Sequence, residues 1–331
     1  MSIKRDEHTP RLVADVGGTN ARFGLVLGPA RCVEHVQVLP TADHPSLQHA
    51  THQYLAGVGA LGTQVREAAI GIANPVLGDR IAMTNHDWSF SIREMQAAMG
   101  WTRFVVMNDF AALAHALPLL PADELQAVGG GTPRPHAPRL LIGPGTGLGV
   151  SALVPTGAQH KAIEGEGGHV SFAPVSDEEV ALLAFMRGRF ERVSAERLLS
   201  GSGLSYIHAF VSGQPSARDL DVDALRHPGE ITAGALAGTN AHDVRAVDLF
   251  CALLGTVASD FALMLGAMGG VFIGGGIVPR LGDYFARSPF RARFEDKGRF
   301  AHYLADIPVH VIHSPQPALI GLAAALNQPP R

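Results

Sequence analysis

Short apolar runs alternate with stretches of helical periodicity along most of this chain. Strand-like runs occur at 12–14, 23–27, 32–39, 68–73, 81–83, 104–107, 139–142, 150–154, 271–273 and 308–312. Helix-like stretches begin near Pro45, Ser91, Phe110, Ser176, Asp243, Pro279 and Ala318. Two of them open with a serine and, three residues later, a glutamate, which is the spacing of a capping box. Strands that alternate with helices predict an α/β protein with largely parallel sheets.

Two turns rich in glycine each lie between apolar strands. The first contains Asp15, Gly17, Gly18, Thr19 and Asn20; the second, at 143–149, contains Gly145, Thr146 and Gly147. Glycines allow positive φ and leave backbone N–H groups uncovered for an anion. Asp15 at a strand end is placed to hold a hydrated Mg²⁺ beside that anion. Either turn alone also fits an ordinary hairpin. Their similarity predicts two related α/β halves that face each other across a cleft and meet one polyphosphate.

Two common nucleotide motifs are excluded by these turns. A Walker A loop needs Gly-Lys-Ser/Thr, but Lys4, Lys161 and Lys297 all lack a preceding glycine. The second turn does not complete G-x-G-x-x-G, because Val150 stands where the last glycine would be.

Composition narrows the class of protein. The 331 residues suit two domains, and 47% hydrophobic with 17% charged residues indicates an ordered globular chain. A net charge of −4 without a basic cluster argues against a nucleic-acid partner. Cys32 and Cys251 form no C-x-x-C pair, which argues against structural zinc or disulfides and fits a reducing cytoplasm. Residues 1–10 have no apolar signal core.

One stretch approaches membrane-span length. Residues 261–278 are 18 residues without a charge, but double and triple glycines would interrupt a helix there. We therefore interpret it as a helix end, a short buried strand and a loop rather than a membrane span. The prolines and glycines of 118–138 predict the region where one domain changes to the next.

Polar residues at element ends are candidates for chemistry. Asn108 and Asp109 follow a buried strand and precede a helix, where α/β proteins bind ligands. Asp109 there could accept a proton from an attacking hydroxyl, and the alternative is a helix N-cap. Glu166 and His169 share a glycine-rich turn that suits two sugar hydroxyls, or is a simple surface turn. Glu196 is a third hydroxyl ligand or an exposed helix carboxylate.

Two further segments each have a functional and a purely structural interpretation. Gly274–Gly276, ahead of Pro279, offers a backbone-lined place for an adenosine or is only a helix-entry turn. His86 and Trp88 line the cleft or anchor a loop.

Taken together, these motifs resemble the bacterial ATP-dependent glucokinase family, within the superfamily of actin, sugar kinases and heat-shock ATPases. The matching segments are D-V-G-G-T-N-A-R at 15–22, M-T-N-H-D-W-S-F-S-I at 83–92, N-D-F-A-A at 108–112, G-P-G-T-G-L-G at 143–149, G-E-G-G-H-V-S-F-A-P at 165–174, S-A-E-R-L-L-S-G at 194–201, G-G-V-F-I-G-G-G-I-V-P-R at 269–280 and F-E-D-K-G-R-F at 294–300. They occur in the family's order over almost the whole chain.

The resemblance implies a two-lobed hexokinase/actin-like (ribonuclease H-like) α/β fold with the active-site cleft between the lobes. A small domain would comprise 1–117 and about 314–331, and a large domain about 118–313. The implied reaction is γ-phosphoryl transfer from MgATP to the 6-hydroxyl of glucose, the first step of glycolysis. The implied partners are glucose and ATP/ADP, with no nucleic acid or membrane, and the family is usually a cytoplasmic homodimer.

The resemblance also assigns roles to the candidate residues. Asp109 would be the general base, and Asn108, Asp109, Glu166, His169 and Glu196 would bind glucose. Phosphates and Mg²⁺ would lie at Asp15, Gly17, Gly18, Thr19, Asn20, Gly145, Thr146 and Gly147, with Asp15 holding the metal through water, and Gly275 would contact the nucleoside. The related repressor/kinase family carries a cysteine-rich zinc motif that is absent here, so zinc is not expected. The alternatives are a broader hexose or glucomannokinase, and a non-catalytic sugar sensor on the same fold.

Overall fold

The computed structural model describes residues 9–28, 30–83 and 86–328. Its strands are β1 (Arg11–Val16), β2 (Asn20–Val26), β3 (Val33–Pro40), β4 (Glu67–Ile72), β5 (Arg80–Ala82), β6 (Ser89–Ser91), β7 (Arg103–Asn108), β8 (Leu125–Ala127), β9 (Arg139–Pro144), β10 (Leu148–Thr156), β11 (Gln159–Ile163), β12 (Val271–Ile273) and β13 (Val309–Ile312). Its α-helices are α1 (Leu47–Gly57), α2 (Ala60–Gln64), α3 (Ile92–Ala98), α4 (Asp109–Ala116), α5 (Asp177–Arg187), α6 (Gly201–Val211), α7 (Pro228–Ala237), α8 (Ala241–Leu265), α9 (Val278–Leu281), α10 (Asp283–Arg287), α11 (Phe290–Glu295), α12 (Ala301–Ala305) and α13 (Pro317–Leu326).

The two large sheets repeat one strand order. The first runs β3-β2-β1-β4-β7, and the second runs β11-β10-β9-β12-β13, with β8 added at its edge. In the first sheet β1, β4 and β7 are parallel neighbours, and in the second β9, β12 and β13 are. In both, the strand before the glycine turn is the third in the order. This duplication confirms the prediction of two related α/β halves.

The described residues fall into two compact units. One lies within Met1–Pro121, Leu153–Glu164 and Ser314–Arg331, and the other comprises Ala122–Ala152 and Gly165–His313. Residues 153–164, which include β11, therefore group with the first unit although β11 belongs to the second sheet.

Strand β1 shows how the first sheet is buried on both faces. Successive side chains of a strand point to opposite faces. Leu12, Ala14 and Val16 belong to one apolar cluster with α1, whereas Val13 packs in another with α13. The same alternation directs Asp15 to the face of Val13. A carboxylate is thus placed on the face that α13 covers.

Helices α4 and α13 cross very closely on that face. A Cβ added to Gly321 in α13 would lie 1.8 Å from the carbonyl oxygen of Ala112 in α4. Leu319, Leu322 and Leu326 of α13 are fully buried in the same cluster. The C-terminal helix therefore completes the core of the first unit, and only glycine permits this crossing.

Helix α8 is the core helix of the second unit. Most of its residues are buried, including Phe250, Cys251 and Leu254. Gly266 ends it in the left-handed conformation (φ 59°). Among the described residues it is also the one helix long and apolar enough to span a membrane, yet 78% of the apolar window is buried inside the protein. The uncharged stretch at 261–278 is the end of α8, the short strand β12 and a loop, as predicted.

Candidate active site

The first part of the site lies at the carboxyl ends of β1, β4 and β7. Val16, Ile72 and Asn108 are in register across these three strands, and Asp15 is in register with Gly71. Because neighbouring strands are about 5 Å apart, Asp15 and Asn108 are separated by about two strand spacings. The Cβ position of Gly71 lies 3.7 Å from the Cα of Asp109. Gly71 thus lets the start of α4 pack closely against the sheet beside Asp15.

Asn108, not Asp109, is the N-cap of α4. Its Oδ1 accepts hydrogen bonds from the backbone N–H groups of Phe110 (2.9 Å) and Ala111 (3.2 Å). Asp109 is the first residue of the helix, and its Oδ1 accepts from the N–H of Phe110 at 2.8 Å. The N-cap alternative for Asp109 was therefore wrong. These bonds occupy Oδ1, and Nδ2 donates one long hydrogen bond to the Asn74 carbonyl (3.5 Å), so the second N–H of the amide is the group left for a ligand.

Burial raises the pKa of Asp15 above its usual value, and the neighbouring Arg22 partly opposes this shift. Arg22 faces Asp15 directly in the β1–β2 pair. An ionised carboxylate on a buried face has an energetic cost that a cation would relieve. A single carboxylate fits Mg²⁺, which usually takes one or two protein carboxylates and completes its shell with water and phosphate oxygens. Within the described residues, no group of three or more His, Cys, Asp or Glu could hold a metal.

The first glycine turn is tightened from both sides. Gly17 N–H donates to the Asn20 carbonyl (3.0 Å), and Thr41 donates from its hydroxyl to the Gly18 carbonyl (2.7 Å) and from its N–H to the Thr19 carbonyl (2.9 Å). Neither Gly17 nor Gly18 uses the positive φ that glycine allows. A Cβ at Gly17 would meet only ordinary contacts. Glycine here keeps the approach to the backbone open, which suits an anion.

The second glycine turn is packed against the Gly274–Gly276 loop. The Pro144 carbonyl accepts from the N–H groups of Gly276 (3.1 Å) and Ile277 (3.3 Å). Gly275 has φ 80°, and a Cβ there would lie 2.3 Å from the Pro144 oxygen, so this position requires glycine. The Gly145 carbonyl accepts from Gly201 N–H at the start of α6 (2.8 Å). The predicted phosphate and nucleoside segments of the second unit are therefore direct neighbours.

His169 lies between two carboxylates. Its Nε2 is 4.0 Å from Glu166 Oε2 and 3.9 Å from Glu196 Oε1, too far for direct hydrogen bonds. The side chains of Glu166 and His169 are each 56% exposed, and that of Glu196 is 30% exposed. The structure thus brings Glu196, distant in sequence, to the turn that carries Glu166 and His169, in an open arrangement that a polyhydroxyl ligand could bridge.

Glu196 also contacts the second glycine turn. Its Oε2 accepts from the Leu148 N–H at 3.0 Å, and its own N–H donates to the Gly168 carbonyl at 2.9 Å. A Cβ at Gly147 would lie 2.5 Å from that Oε2, so the glycine makes room for the carboxylate. Glu196 is in a turn, so the exposed-helix alternative was wrong. Its contact with the turn could not be found from sequence, because the partner is a main-chain group of a leucine.

Trp88 anchors a loop in the first unit. It is buried, and its Nε1–H donates to the His44 carbonyl at 2.9 Å. His86 packs edge-on against the Trp88 ring, with 4.9 Å between the ring centroids. Thr84 and Asn85, in the same motif, lie outside the described residues. Sequence reasoning missed Thr41 and Arg192, whose contacts to the candidate loops have no local sequence signal.

The duplicated sheet order and these loops define the hexokinase/actin-like class of sugar kinases, and solved structures support this. Glucokinase from an Antarctic psychrotroph is 34% identical with a TM-score of 0.85, covering 96% of this chain and 98% of that one. A ROK family glucokinase from Streptomyces griseus, solved with glucose and AMPPNP, is 21% identical with a TM-score of 0.64, covering 96% of this chain and 98% of that one. At that lower identity the likeness supports the fold alone.

The sequence comparisons are more specific. The model of the Glucokinase family matches residues 12–329. Glucokinase of Ralstonia nicotianae is 57% identical (96% of this chain and 95% of the relative), and that of Chromobacterium violaceum is 52% identical (98% and 92%). The chain belongs to the glucokinase family. It is a kinase that transfers a phosphoryl group from ATP to the 6-hydroxyl of glucose, and the sensor and broader-kinase alternatives are not favoured.

Proposed function

We propose that Asp109 is the general base of this glucokinase. The supporting observation is that capping of α4 is already supplied by Asn108. Asp109 is the first residue of α4 and directly follows the carboxyl end of β7, where α/β sheets bind ligands. Asp109 would accept the proton of the 6-hydroxyl as that oxygen attacks the γ-phosphorus of ATP.

Glucose is bound in this proposal by Asn108, Asp109, Glu166, His169 and Glu196. The cluster of His169 between Glu166 and Glu196 is the single observation that carries it. Two carboxylates accept hydrogen bonds from hydroxyls, and an imidazole can donate or accept one. The spacing of 3.9–4.0 Å leaves each group free to bond a ligand rather than its neighbour.

Nucleotide binding is assigned to the two glycine turns. Gly17, Gly18, Thr19 and Asn20 in the first, and Gly145, Thr146 and Gly147 in the second, would contact the phosphates, with Gly275 near the nucleoside. Asp15 would hold Mg²⁺ through water, which neutralises phosphate charge during transfer. Zinc has no role in this proposal.

The remaining assignments rest on the family resemblance. The small domain would comprise 1–117 and about 314–331, and the large domain about 118–313. The compact units differ from this division mainly in residues 153–164. A cytoplasmic homodimer without nucleic-acid or membrane partners completes the proposal.

A steady-state assay coupled to glucose 6-phosphate formation tests the sugar site. Glu166→Gln and His169→Ala should each raise the KM for glucose about 10- to 100-fold, as expected when a hydrogen bond to a charged or ordered group is lost, and should leave the KM for ATP nearly unchanged. Glu191→Gln, an exposed carboxylate outside the cluster, is the matched control. A rise in the KM for ATP with an unchanged KM for glucose would assign the turn to the nucleotide instead.

A further inference from the structure

One short segment, 192–196, donates hydrogen bonds to three successive carbonyls of the turn at 166–170, which is called the sugar turn below. The Glu196 N–H donates to the Gly168 carbonyl (2.9 Å), and the Ala195 N–H donates to the Val170 carbonyl (2.8 Å). Ser171 and Ser194 form an isolated antiparallel bridge beside them. The carbonyl between these two, that of His169, points to a side chain instead: Arg192 Nη2 donates to it at 2.8 Å.

The sugar turn is therefore held by two main-chain hydrogen bonds and by one hydrogen bond from the Arg192 side chain. Its Nη2 also lies 3.4 Å from Ser171 Oγ, a weaker contact on the same strand-like segment. The Arg192 side chain is exposed and belongs to no core cluster, so its replacement should not disturb the packing of the core. A charged donor to a carbonyl makes a stronger hydrogen bond than a neutral one.

We propose that Arg192 is a positioning residue for glucose. It fixes the backbone at His169, and through it the direction of the imidazole relative to Glu166 and Glu196. The inference rests on the proposed sugar-binding role of His169. Arg192 acts on the sugar site only through the His169 carbonyl; it has no part in the proton transfer assigned to Asp109 or in the glycine turns.

The expected result is a selective change in the KM for glucose. Arg192→Gln should raise it about 2- to 10-fold, the range that loss of one partly exposed hydrogen bond gives, with kcat and the KM for ATP within about twofold of the parent enzyme. Arg192→Lys should bring the KM for glucose most of the way back to the parent value, because a single donor atom, Nη2, makes the contacts to both His169 and Ser171. The control is Arg189→Gln, an exposed arginine three residues away that donates to the Leu220 carbonyl at 2.9 Å.

Two outcomes would overturn the proposal. One is an unchanged KM for glucose in Arg192→Gln, and the other is a parallel change in Arg189→Gln, which would show a general effect on this region. The His169→Ala variant separates this result from failure of the proposed function. If His169→Ala raises the KM and Arg192→Gln does not, only the role of Arg192 is lost. If His169→Ala has no effect on the KM, the sugar site itself is misplaced.

Discussion

The general-base assignment predicts a large kinetic effect with almost no effect on stability. In Asp109→Asn the side chain keeps its shape and can still accept from the Phe110 N–H, but it cannot take a proton. General-base catalysis contributes about 10²–10⁴-fold, or about 3–5 kcal/mol of barrier at about 1.4 kcal/mol per decade. We expect kcat to fall by that range, and glucose binding to fall far less, because an amide still pairs with a hydroxyl.

The change in unfolding free energy of Asp109→Asn is small for a separate structural reason. The N-cap bonds come from Asn108 and remain in the variant. What is lost is one negative charge in the first turn of α4, which is worth about 0.3–1 kcal/mol. Asp177→Asn is a matched control, because Asp177 is likewise the first residue of a capped helix, α5, behind Ser176. Both variants should lose similar small amounts of stability in urea unfolding, but only Asp109→Asn should lose activity.

The assay is single-turnover and steady-state glucose 6-phosphate formation at saturating glucose and MgATP, with glucose affinity measured by calorimetry. A folded Asp109→Asn enzyme with kcat within about threefold of the parent would remove Asp109 from the chemistry. A variant that loses glucose binding as strongly as kcat would mean that Asp109 acts as a sugar ligand only.

Two further variants test the first unit. Asp15→Asn should lower activity yet stabilise the nucleotide-free protein at pH values above the ordinary carboxyl pKa. Burial raises the pKa of Asp15 in the folded state, so the parent is most stable below the ordinary carboxyl pKa and loses stability as pH rises through the folded pKa. This loss, measured by urea unfolding over a pH series, should be smaller in the variant. If the pH dependence is unchanged, burial of Asp15 is not its cause. Gly321→Ala should destabilise by about 1–2 kcal/mol in urea unfolding, since the overlap with the Ala112 carbonyl outweighs the gain in helix propensity, whereas Gly78→Ala, with open space around it, should be near neutral; equal effects would refute the close helix crossing.

Local patterns were sufficient for most elements of the fold. The serine caps at Ser46, Ser91 and Ser176 all accept from the backbone N–H three residues on, as sequence predicts. The glutamate of the second capping box, Glu179, does more than complete a cap: it accepts from the Val175 N–H and its buried carboxylate pairs with Arg293. The capping-box pattern depends only on local spacing. The direction of this carboxylate depends also on its ion pair with Arg293, which is distant in sequence. Helices α6 and α7 also had no clear signal, because glycines and small residues weaken their periodicity.

The sequence indicated which residues belong to the candidate site, but not which contacts they make with one another. Strand ends and glycine turns indicated Asp15, Asp109 and the two turns, since these features are local in sequence. The grouping of Glu166, His169 and Glu196 depends on segment 192–196 pairing with the sugar turn, a non-local bridge without sequence periodicity. Sequence could not tell which property of glycine the first turn uses: Gly17 and Gly18 both have ordinary φ, and a Cβ at Gly17 would meet only ordinary contacts.

The two glycine turns, although duplicated, are supported in different ways. Thr41, from the segment after β3, holds the first through two carbonyls. Glu196, a proposed sugar ligand, holds the second through the Leu148 N–H. The carboxylate that would contact glucose with one oxygen therefore contacts the second phosphate turn with the other. On the proposed assignments, Glu196 would thus connect the sugar ligands to the second glycine turn, whereas Thr41 supports the first turn without being a proposed sugar ligand.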